Sequence, residues 1–349
     1  MFFPRYKITD KLLAGIKHIN TLVSELNNKR FPNVVLLELE RTAREVSSYA
    51  STSIEGNPLP LTEVKKILKT TPLNIRDSEK EVLNYNKALE DLNTKLKKGN
   101  VKLSLELILE IQKQVTKGLL PSFEVGSFRE KPIVVNDPKT RKVVYLPPDV
   151  KDVKSLMENL ITFVKNNKEN IDPLILAGVF HKQMVIIHPF MDGNGRTTRL
   201  ATKVLLFEMG LDTFNLFSFE NYYNNNVTNY FQTVGEFGNY YDLVDKIDFT
   251  VFLEYFTDGI IDELLRVKKM LPEVAKTPQS TLKPYHEKAL DFIRENGFIT
   301  DRDYSKIVDR AKATRALDFQ KLISLGLIER KGKGRATYYI LRVRPSITS

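Results

Sequence analysis

Residues 188–199, HPFMDGNGRTTR, bring a histidine, an aspartate, two glycines and two arginines into one short segment. His188 carries an imidazole, the side chain most often used as a general base near neutral pH. Asp192 offers an oxygen ligand for Mg²⁺, which is usually held by one or two carboxylates together with substrate phosphates and water. The segment therefore combines a proton acceptor with a metal ligand.

The glycines and arginines of this segment suit phosphate binding. Gly193 and Gly195 permit backbone torsions and close approach that side chains would forbid. A helix is predicted to begin near Arg196, and the N–H groups and dipole at a helix N-terminus favour an anion. Arg196 and Arg199 lie three residues apart, so both guanidinium groups share one helix face and can bind further phosphate oxygens. The pattern predicts that a hydroxyl is deprotonated beside bound phosphates.

Helices must position this segment, because apolar residues recur at intervals of three and four along most of the chain. The fold class is mainly α. A buried helix is predicted before the segment, ending at Pro189, because proline disfavours helical geometry in the preceding residue. Apolar residues at 133–135 and 143–146 flank turn-forming residues at 136–138, which predicts an isolated β-hairpin. Further helices are predicted at 34–50, 78–95, 104–118, 150–166, 172–187, 195–209 and 250–270.

The composition excludes several classes of protein. Of 349 residues, 42% are hydrophobic and 28% charged, close to the average of globular domains. The absence of cysteine rules out disulfides, thiolate metal sites and a cysteine nucleophile. The net charge of +10 permits attraction to phosphates. Since no signal-peptide stretch or membrane-spanning apolar run occurs, we expect a cytoplasmic protein without a membrane partner.

At every fixed position, the segment 188–199 resembles the motif of the Fic (filamentation induced by cAMP) family, His-x-Phe-x-Asp/Glu-Gly-Asn-Gly-Arg-x-x-Arg. Residues 126–129, GSFR, and the hairpin with YLPP at 145–148 are similar to the family's flap, thought to align a target segment by strand addition. Residues 51–57, STSIEGN, are similar to its inhibitory motif Ser/Thr-x-x-x-Glu-Gly/Asn. The resemblance covers about residues 30–265 and implies a Fic-type helical core with a β-hairpin flap.

The resemblance implies a protein adenylyltransferase, a nucleotidyltransferase that moves AMP from ATP to a tyrosine, threonine or serine hydroxyl of a target protein or of the chain itself. His188 is then the general base, Asp192 the Mg²⁺ ligand and Arg199 the ligand of the γ-phosphate. The resemblance further implies a phosphate cradle formed by Gly193, Asn194, Gly195 and Arg196. The purine base would be bound by Tyr222, Tyr223, Asn226 and Tyr230. The inhibitory segment would comprise Ser51, Glu55 and Gly56.

Glu55 is expected to hold the enzyme inactive by competing for Arg199. The helix before it is predicted to continue through residues 51–54 and to end at Gly56, which leaves Glu55 at the helix end. An exposed salt bridge contributes only about 0–1 kcal/mol, too little to control activity. The Glu55–Arg199 pair is therefore expected to be largely buried.

Three alternatives stay open. In kinase-like relatives a lysine replaces Gly195, so the glycine favours transfer of AMP over phosphate. Removal of AMP is a second direction, because in some relatives the inhibitory glutamate positions the hydrolytic water. The third is a DNA-binding regulator in which the Fic-like domain senses nucleotide. Among the remaining candidates, Phe190 is interpreted as a core residue. His181 is interpreted as structural, because no nearby carboxylate completes a zinc site. His18 and His286 are interpreted as surface or helix-end residues.

The last fifth of the chain is predicted to be a separate basic unit. Three helices followed by a strand, a basic turn and a strand are similar to a winged helix-turn-helix. In that fold Lys312, Thr314 and Arg315 would enter a DNA major groove, while protein docking or homodimer formation is the alternative. The predicted domains are a helical region with the inhibitory motif at 1–95, a catalytic core at 96–270, a linker at 271–283 and a winged-helix domain at 284–349.

Overall fold

The computed structural model describes residues 2–27, 33–70, 72–99, 101–137, 140, 142–208, 218–274, 282–325 and 327–341. The chain divides into two compact units. One comprises Met1–Asn28 and Ala43–Arg266, and the other Lys29–Thr42 and Val267–Ser349.

Helices dominate the fold up to Val274, as predicted. Four short helices, α3 and α9 to α11, lack a long apolar repeat and were missed by periodicity. The helices are α1 (Asp10–Asn27), α2 (Asn33–Ile54), α3 (Leu61–Lys69), α4 (Asp77–Lys97), α5 (Leu105–Val115), α6 (Val150–Asn167), α7 (Pro173–Ile187), α8 (Asn194–Glu208), α9 (Phe219–Asn225), α10 (Val227–Val234), α11 (Tyr240–Leu243) and α12 (Thr250–Val274). Helix α12 continues four residues into the predicted linker, and residues 275–281 of that linker lie outside the described residues.

Helix α7 forms the centre of the first unit. It is apolar apart from residues 181–183, and 13 of its 15 residues are buried, as expected of a helix surrounded by other elements. Asp172 caps its start by accepting a hydrogen bond from the Leu174 N–H at 2.9 Å. Gly178 lets α12 approach closely, since a Cβ there would lie 2.6 Å from Leu253 Cδ2. The 188–199 segment therefore leaves a rigid, central helix.

The predicted hairpin is present, but the expectation that it stands alone is wrong. Strands β1 (Val135–Asn136) and β2 (Val143–Leu146) pair antiparallel, and β3 (Gly238–Asn239) adds to β2 in parallel. Two residues, one of them glycine, give no strand signal in the sequence. Both edges of β2 are paired, so an added target strand would have to use the outer edge of β1 or β3. Pro138 of the predicted turn lies outside the described residues.

The second unit contains three helices and a hairpin in the predicted order. These are α13 (Pro284–Asn296), α14 (Asp301–Ile307), α15 (Lys312–Ser324) and the antiparallel strands β4 (Ile328–Lys331) and β5 (Tyr338–Leu341). A β-bridge between Ile299 and Tyr339 ties the hairpin to the segment before α14. The winged-helix assignment and DNA binding stay predictions.

Two polar residues of this unit lie in unexpected surroundings. The Arg315 guanidinium donates to both carboxylate oxygens of Asp301, at 2.9 and 2.8 Å, which counts against direct base contact by Arg315. His286 lies in the first turn of α13, as the helix-end interpretation predicted, but it does not reach the surface. It is 2% exposed, 3.4 Å from Asp318, which also binds Arg310. Across the described residues, no helix combines the length and apolar character needed to span a membrane.

Candidate active site

The 188–199 segment begins with a sharp turn at His188. This residue has φ 50° and ψ 60°, and it is the one non-glycine residue with positive φ in the described part of the chain. Such a conformation costs about 1–2 kcal/mol for an L-residue. Pro189 follows and disfavours right-handed helical geometry at His188. Helix α7 therefore ends at Ile187, as predicted from the proline.

One hydrogen bond orients the His188 ring. Its Nδ1 lies 3.1 Å from the carbonyl oxygen of Val185. A carbonyl oxygen only accepts, so Nδ1 carries the proton and Nε2 keeps its lone pair. Burial lowers the pKa of His188, and this effect outweighs the opposing influence of the Val185 carbonyl and Glu55. The ring is therefore neutral near pH 7 and able to accept a proton at Nε2.

Asn194 closes the turn that follows His188. Its side-chain oxygen accepts from the Phe190 N–H at 2.9 Å, and its Nδ2 donates to the Phe190 carbonyl at 2.8 Å. Phe190 is fully buried and its ring stacks on that of Phe128 with centroids 5.9 Å apart. Phe190 thus anchors the loop by packing, as interpreted from the sequence, while the Asn194 side chain fixes the shape of the loop.

Arg196 lies between two carboxylates. Its Nη2 donates to both oxygens of Asp192, at 2.9 and 2.8 Å, and its Nη1 lies 2.9 Å from Glu81 Oε1. Glu81 also accepts from Asn57 Nδ2 at 2.7 Å. Burial raises the pKa of Glu81, although Arg196 and Asn57 act against it. Arg196 is thereby connected through Glu81 on α4 to Asn57, two residues after Glu55, a link that the sequence did not reveal.

Arg199 and Glu55 form the predicted ion pair. Arg199 Nη2 donates to Glu55 Oε1 at 2.8 Å, with the Arg199 side chain 0% and the Glu55 side chain 28% exposed. Arg199 also donates from Nε to Ser51 Oγ and from Nη2 to the Ser51 carbonyl, both at 2.8 Å. Burial lowers the pKa of Arg199, but the charge and hydrogen bond of Glu55, together with Tyr230 and Tyr85, more than offset this and raise it above its usual value. The contact is present as predicted; its inhibitory effect stays a prediction.

The end of α2 places Glu55 at this pair. Helix α2 runs to Ile54, and Gly56 follows with φ 94°, a conformation that favours glycine. The Gly56 N–H donates to the Ser53 carbonyl at 2.9 Å and closes the last turn. Glu55 therefore projects from the helix end, as the glycine predicted.

The pair is one part of a matched row of contacts between α2 and α8. Ser47, Ser51 and Glu55 are spaced by four on α2, and Lys203, Arg199 and Gly195 are spaced by four on α8. Residues four apart share a helix face. Lys203 Nζ donates to Ser47 Oγ at 3.3 Å, Arg199 binds Ser51, and Glu55 lies over Gly195. The two faces therefore run antiparallel, with Glu55 at the start of α8.

A buried carboxylate supports this row from α9. Glu220 is 0% exposed and lies 3.5 Å from Lys203 Nζ. It accepts hydrogen bonds from Tyr85 at 2.8 Å, Ser218 at 2.9 Å and Ser47 at 3.2 Å. Ser47 and Lys203 could have been found from the sequence, because they continue the four-residue spacing of Ser51 and Arg199. Glu220 and Tyr85 carry no such signal, since 135 residues separate them.

Gly195 gives Glu55 access to the N-terminus of α8. A Cβ at this position would lie 2.1 Å from Glu55 Oε1 and 2.8 Å from Arg199 Nη1. No side chain fits there while Glu55 holds this position. The Glu55 carboxylate thus occupies a helix N-terminus, where backbone N–H groups and the dipole favour an anion.

The purine-side candidates divide into two groups. Tyr223 and Tyr230 are buried and stacked with ring centroids 4.5 Å apart, and the Tyr230 hydroxyl lies 3.0 Å from His181 Nε2. Tyr222 and Asn226 are half-buried, and Asn226 Nδ2 donates to the Tyr222 carbonyl at 3.0 Å. The structure therefore leaves Tyr222 and Asn226 partly exposed and places the other two in the core, and base binding by these residues stays a prediction.

His181 has partners on both ring nitrogens. Nδ1 lies 3.0 Å from Thr202 Oγ1, and Nε2 contacts Tyr230 as described. Burial, and secondarily Arg199, lowers the pKa of His181. These contacts support its structural interpretation. His18 is exposed on α1.

Comparison with known proteins places this site in a family. Residues 102–206 match the model of the Fic/DOC family. The chain is 30% identical over 217 residues to the protein adenylyltransferase Fic of Aedes aegypti, which covers 57% of this chain and 42% of that protein. It is also 30% identical over 182 residues to the protein adenylyltransferase Fic of Drosophila grimshawi, which covers 51% and 36%. The chain spans less than half the length of these relatives.

Solved structures show the same fold. A Fic family protein from Desulfovibrio desulfuricans G20 superposes with a TM-score of 0.64 at 19% identity, covering 97% of this chain and 98% of that one. Fic-1 of C. elegans, residues 134–508, gives 0.60 at 21% identity, covering 75% and 73%. Residues 102–206 therefore match the Fic/DOC family model, and the chain has the fold of these Fic structures.

The Asn194 contacts generate a prediction about stability. Asn194→Ala leaves the buried Phe190 N–H and carbonyl unpaired, so we expect it to lower the free energy of unfolding by about 1–3 kcal/mol. Urea titration of both variants measures this. Asn167→Ala is the control, because Asn167 Nδ2 makes a single bond to the Phe163 carbonyl at a partly exposed helix end. Equal losses in the two variants would contradict a special role for Asn194.

Proposed function

We propose that this protein is an adenylyltransferase that transfers AMP from ATP to a hydroxyl group of a protein, with His188 as the general base. Support comes from the family match and from relatives that are named protein adenylyltransferase Fic. The observation that carries the proposal is the juxtaposition of a neutral imidazole, with Nε2 available, and two buried arginines within one turn-and-helix segment.

In the proposed reaction, His188 Nε2 takes the proton of the target hydroxyl. The hydroxyl oxygen then forms a bond to the α-phosphorus of ATP. The bond between the α-phosphorus and the bridging oxygen of the β-phosphate breaks, and pyrophosphate leaves. Proton transfer of this kind contributes about 10²- to 10⁴-fold in rate, and alignment of the reacting atoms contributes further.

The arginines are suited to bind the phosphates. Arg199 Nη1 and Arg196 Nε are buried and make no hydrogen bond within the described residues. Buried N–H groups are usually paired, so these donors fit an anionic ligand. Arg196 would contact phosphate oxygens beside the N-terminus of α8, and Arg199 would hold the γ-phosphate once Glu55 withdraws.

The acidic residues present fit Mg²⁺ that arrives with the nucleotide. The described part of the chain contains no group of three or more His, Asp or Glu side chains able to hold a metal by itself. Asp192 is 47% exposed and could bind the ion through one carboxylate oxygen, with phosphate and water oxygens completing the shell. The ion would neutralise phosphate charge, while Arg196 keeps the Asp192 carboxylate oriented.

We propose further that Glu55 holds the enzyme in a low-activity state. Its carboxylate occupies the N-terminus of α8 and uses Arg199, so ATP can still bind but cannot place its γ-phosphate on that cation. A bias of about 2.7 kcal/mol would leave about 1% of molecules competent. Because Arg199 is fully buried, its ion pair can contribute more than an exposed pair would.

The first functional prediction concerns His188. Purified protein incubated with Mg²⁺, cell extract and ATP labelled on the α-phosphate should label protein, whereas ATP labelled on the γ-phosphate should not. His188→Ala should lower this transfer about 10²- to 10⁴-fold, because the base is lost. ATP affinity, measured by calorimetry, should stay within about twofold, since the backbone and arginines bind the phosphates.

Other outcomes of this experiment separate the alternatives. Label from the γ-phosphate would indicate a kinase, and the absence of any label, even without Glu55, would indicate a nucleotide sensor. Near-normal transfer by His188→Ala would contradict the role of the base. Loss of ATP affinity in that variant would mean that His188 maintains the loop structure.

The second functional prediction concerns Glu55. Glu55→Gly should raise the initial rate of transfer at saturating ATP about 10- to 100-fold, which corresponds to a bias of about 1.4–2.7 kcal/mol. Glu55→Gln keeps the size but loses the charge, so it should activate to an intermediate degree. An unchanged or lower rate in both variants would contradict autoinhibition. Loss of AMP removal from a modified target would show that Glu55 also serves the reverse direction.

A further inference from the structure

Arg129 is a buried cation whose hydrogen bonds all lead to backbone carbonyls. It is 3% exposed, and none of its hydrogen bonds in the described chain reaches a carboxylate. Burial lowers the pKa of Arg129, although the charge of Asp149 acts against this effect. A buried charge is costly unless hydrogen bonds or a counter-charge compensate it, and the hydrogen bonds of Arg129 all go to carbonyl oxygens.

Of the three carbonyls that the Arg129 guanidinium binds, one belongs to His188, one to Pro148 at the end of the flap, and one, at 3.4 Å, to Lys131. Its Nε donates to the His188 carbonyl at 2.9 Å, and its Nη2 donates to the Pro148 carbonyl. Its backbone N–H donates to the Pro189 carbonyl at 2.9 Å. Arg129 therefore binds the carbonyl groups of both His188 and Pro189 and connects this turn to the segment after β2.

The C-terminus of α7 explains why a cation is used. The last carbonyls of a helix have no partner within the helix and carry partial negative charge. Here the Met184 carbonyl accepts from the His188 N–H, the Val185 carbonyl from the His188 ring, and the Ile186 carbonyl from the Tyr145 hydroxyl at 3.0 Å. Arg129 supplies a positive charge and donors for the carbonyls of the turn itself.

The conformation of His188 needs this support. Its positive φ is unfavourable, and residues in sparsely populated conformations persist only where the surroundings fix them. The ring can reach the Val185 carbonyl only while this turn is maintained. A lysine could not replace the arginine, because a single ammonium group lacks the planar fork that reaches two separate carbonyls.

We infer that Arg129 is a positioning residue that holds His188 in its left-handed turn, with Nδ1 protonated and Nε2 directed to the reaction, and that couples this turn to the flap. The inference rests on the proposed function of His188 as the base. Arg129 acts through His188 and is not placed in contact with substrate.

The test compares Arg129→Lys with Tyr145→Phe, in the full chain carrying Glu55→Gly so that transfer is measurable. Both substitutions remove a hydrogen bond between the flap and the end of α7, but the Tyr145 hydroxyl binds the Ile186 carbonyl and not the turn. Arg129→Lys should lower kcat about 10- to 100-fold with the ATP dissociation constant unchanged, and Tyr145→Phe should lower kcat by a clearly smaller factor. Equal loss of kcat in the two variants would overturn the inference.

A second readout does not depend on activity. Long-range ¹H–¹⁵N NMR spectra report which nitrogen of a neutral imidazole carries the proton, and the chain has four histidines, so His188→Ala assigns the signal. His188 should be protonated on Nδ1 in the wild type and in Tyr145→Phe, and should shift toward the Nε2-protonated form in Arg129→Lys. An unchanged tautomer would also overturn the inference. A tautomer shift in a protein without transferase activity would uphold Arg129 and reject the proposed function.

Discussion

A fully buried guanidinium, that of Arg199, is the constraint on which this site depends. Removing one partner of a buried ion pair typically costs about 3–5 kcal/mol, because the other charge is left uncompensated. Arg199 therefore needs an anion at all times. In the structure this anion is Glu55, and in the proposed reaction it is the terminal phosphate of ATP. In this account, Glu55 neutralises the Arg199 charge in the inhibited state and the terminal phosphate neutralises it when substrate is bound.

The surrounding helices are arranged around that exchange. The α2 face formed by Ser47, Ser51 and Glu55 contacts α8 at every fourth residue, and Glu220 supports the far end of the row. Only the Glu55 end reaches the N-terminus of α8, where an incoming phosphate would bind. The Ser47 and Ser51 contacts thus hold α2 against α8 away from the proposed phosphate site. Glu55 is then the one side chain of this face that a phosphate would have to displace. On the opposite side, Arg129 fixes the base through the turn at His188.

The sequence predicted those parts of the site that are local. Pro189 marks the end of α7, Gly56 the end of α2, and the 188–199 segment contains its own chemical groups in order. The Glu55–Arg199 contact was also predicted, although it joins residues 144 apart, because a family resemblance supplied it. Contacts without a motif were missed. Glu81 on Arg196 and Glu220 on Lys203 connect separate helices, and nothing in their neighbouring residues indicates the partner. Strand β3 was missed because two residues are too few for a periodic signal. His286 lies at a helix start as expected, but its burial beside Asp318 was missed, because no neighbouring residue indicates that partner.

Isothermal titration calorimetry of ADP and ATP, each with Mg²⁺, tests the central claim that Glu55 occupies the place of the terminal phosphate. The wild type and Glu55→Gly are compared, and the quantity measured is the ratio of the ADP to the ATP dissociation constant. If Glu55 and the γ-phosphate compete for Arg199, removal of Glu55 should strengthen ATP binding more than ADP binding and raise this ratio about tenfold, or about 1.4 kcal/mol. Arg199→Ala in the Glu55→Gly background should abolish the increase. An equal ratio in wild type and Glu55→Gly would contradict the account.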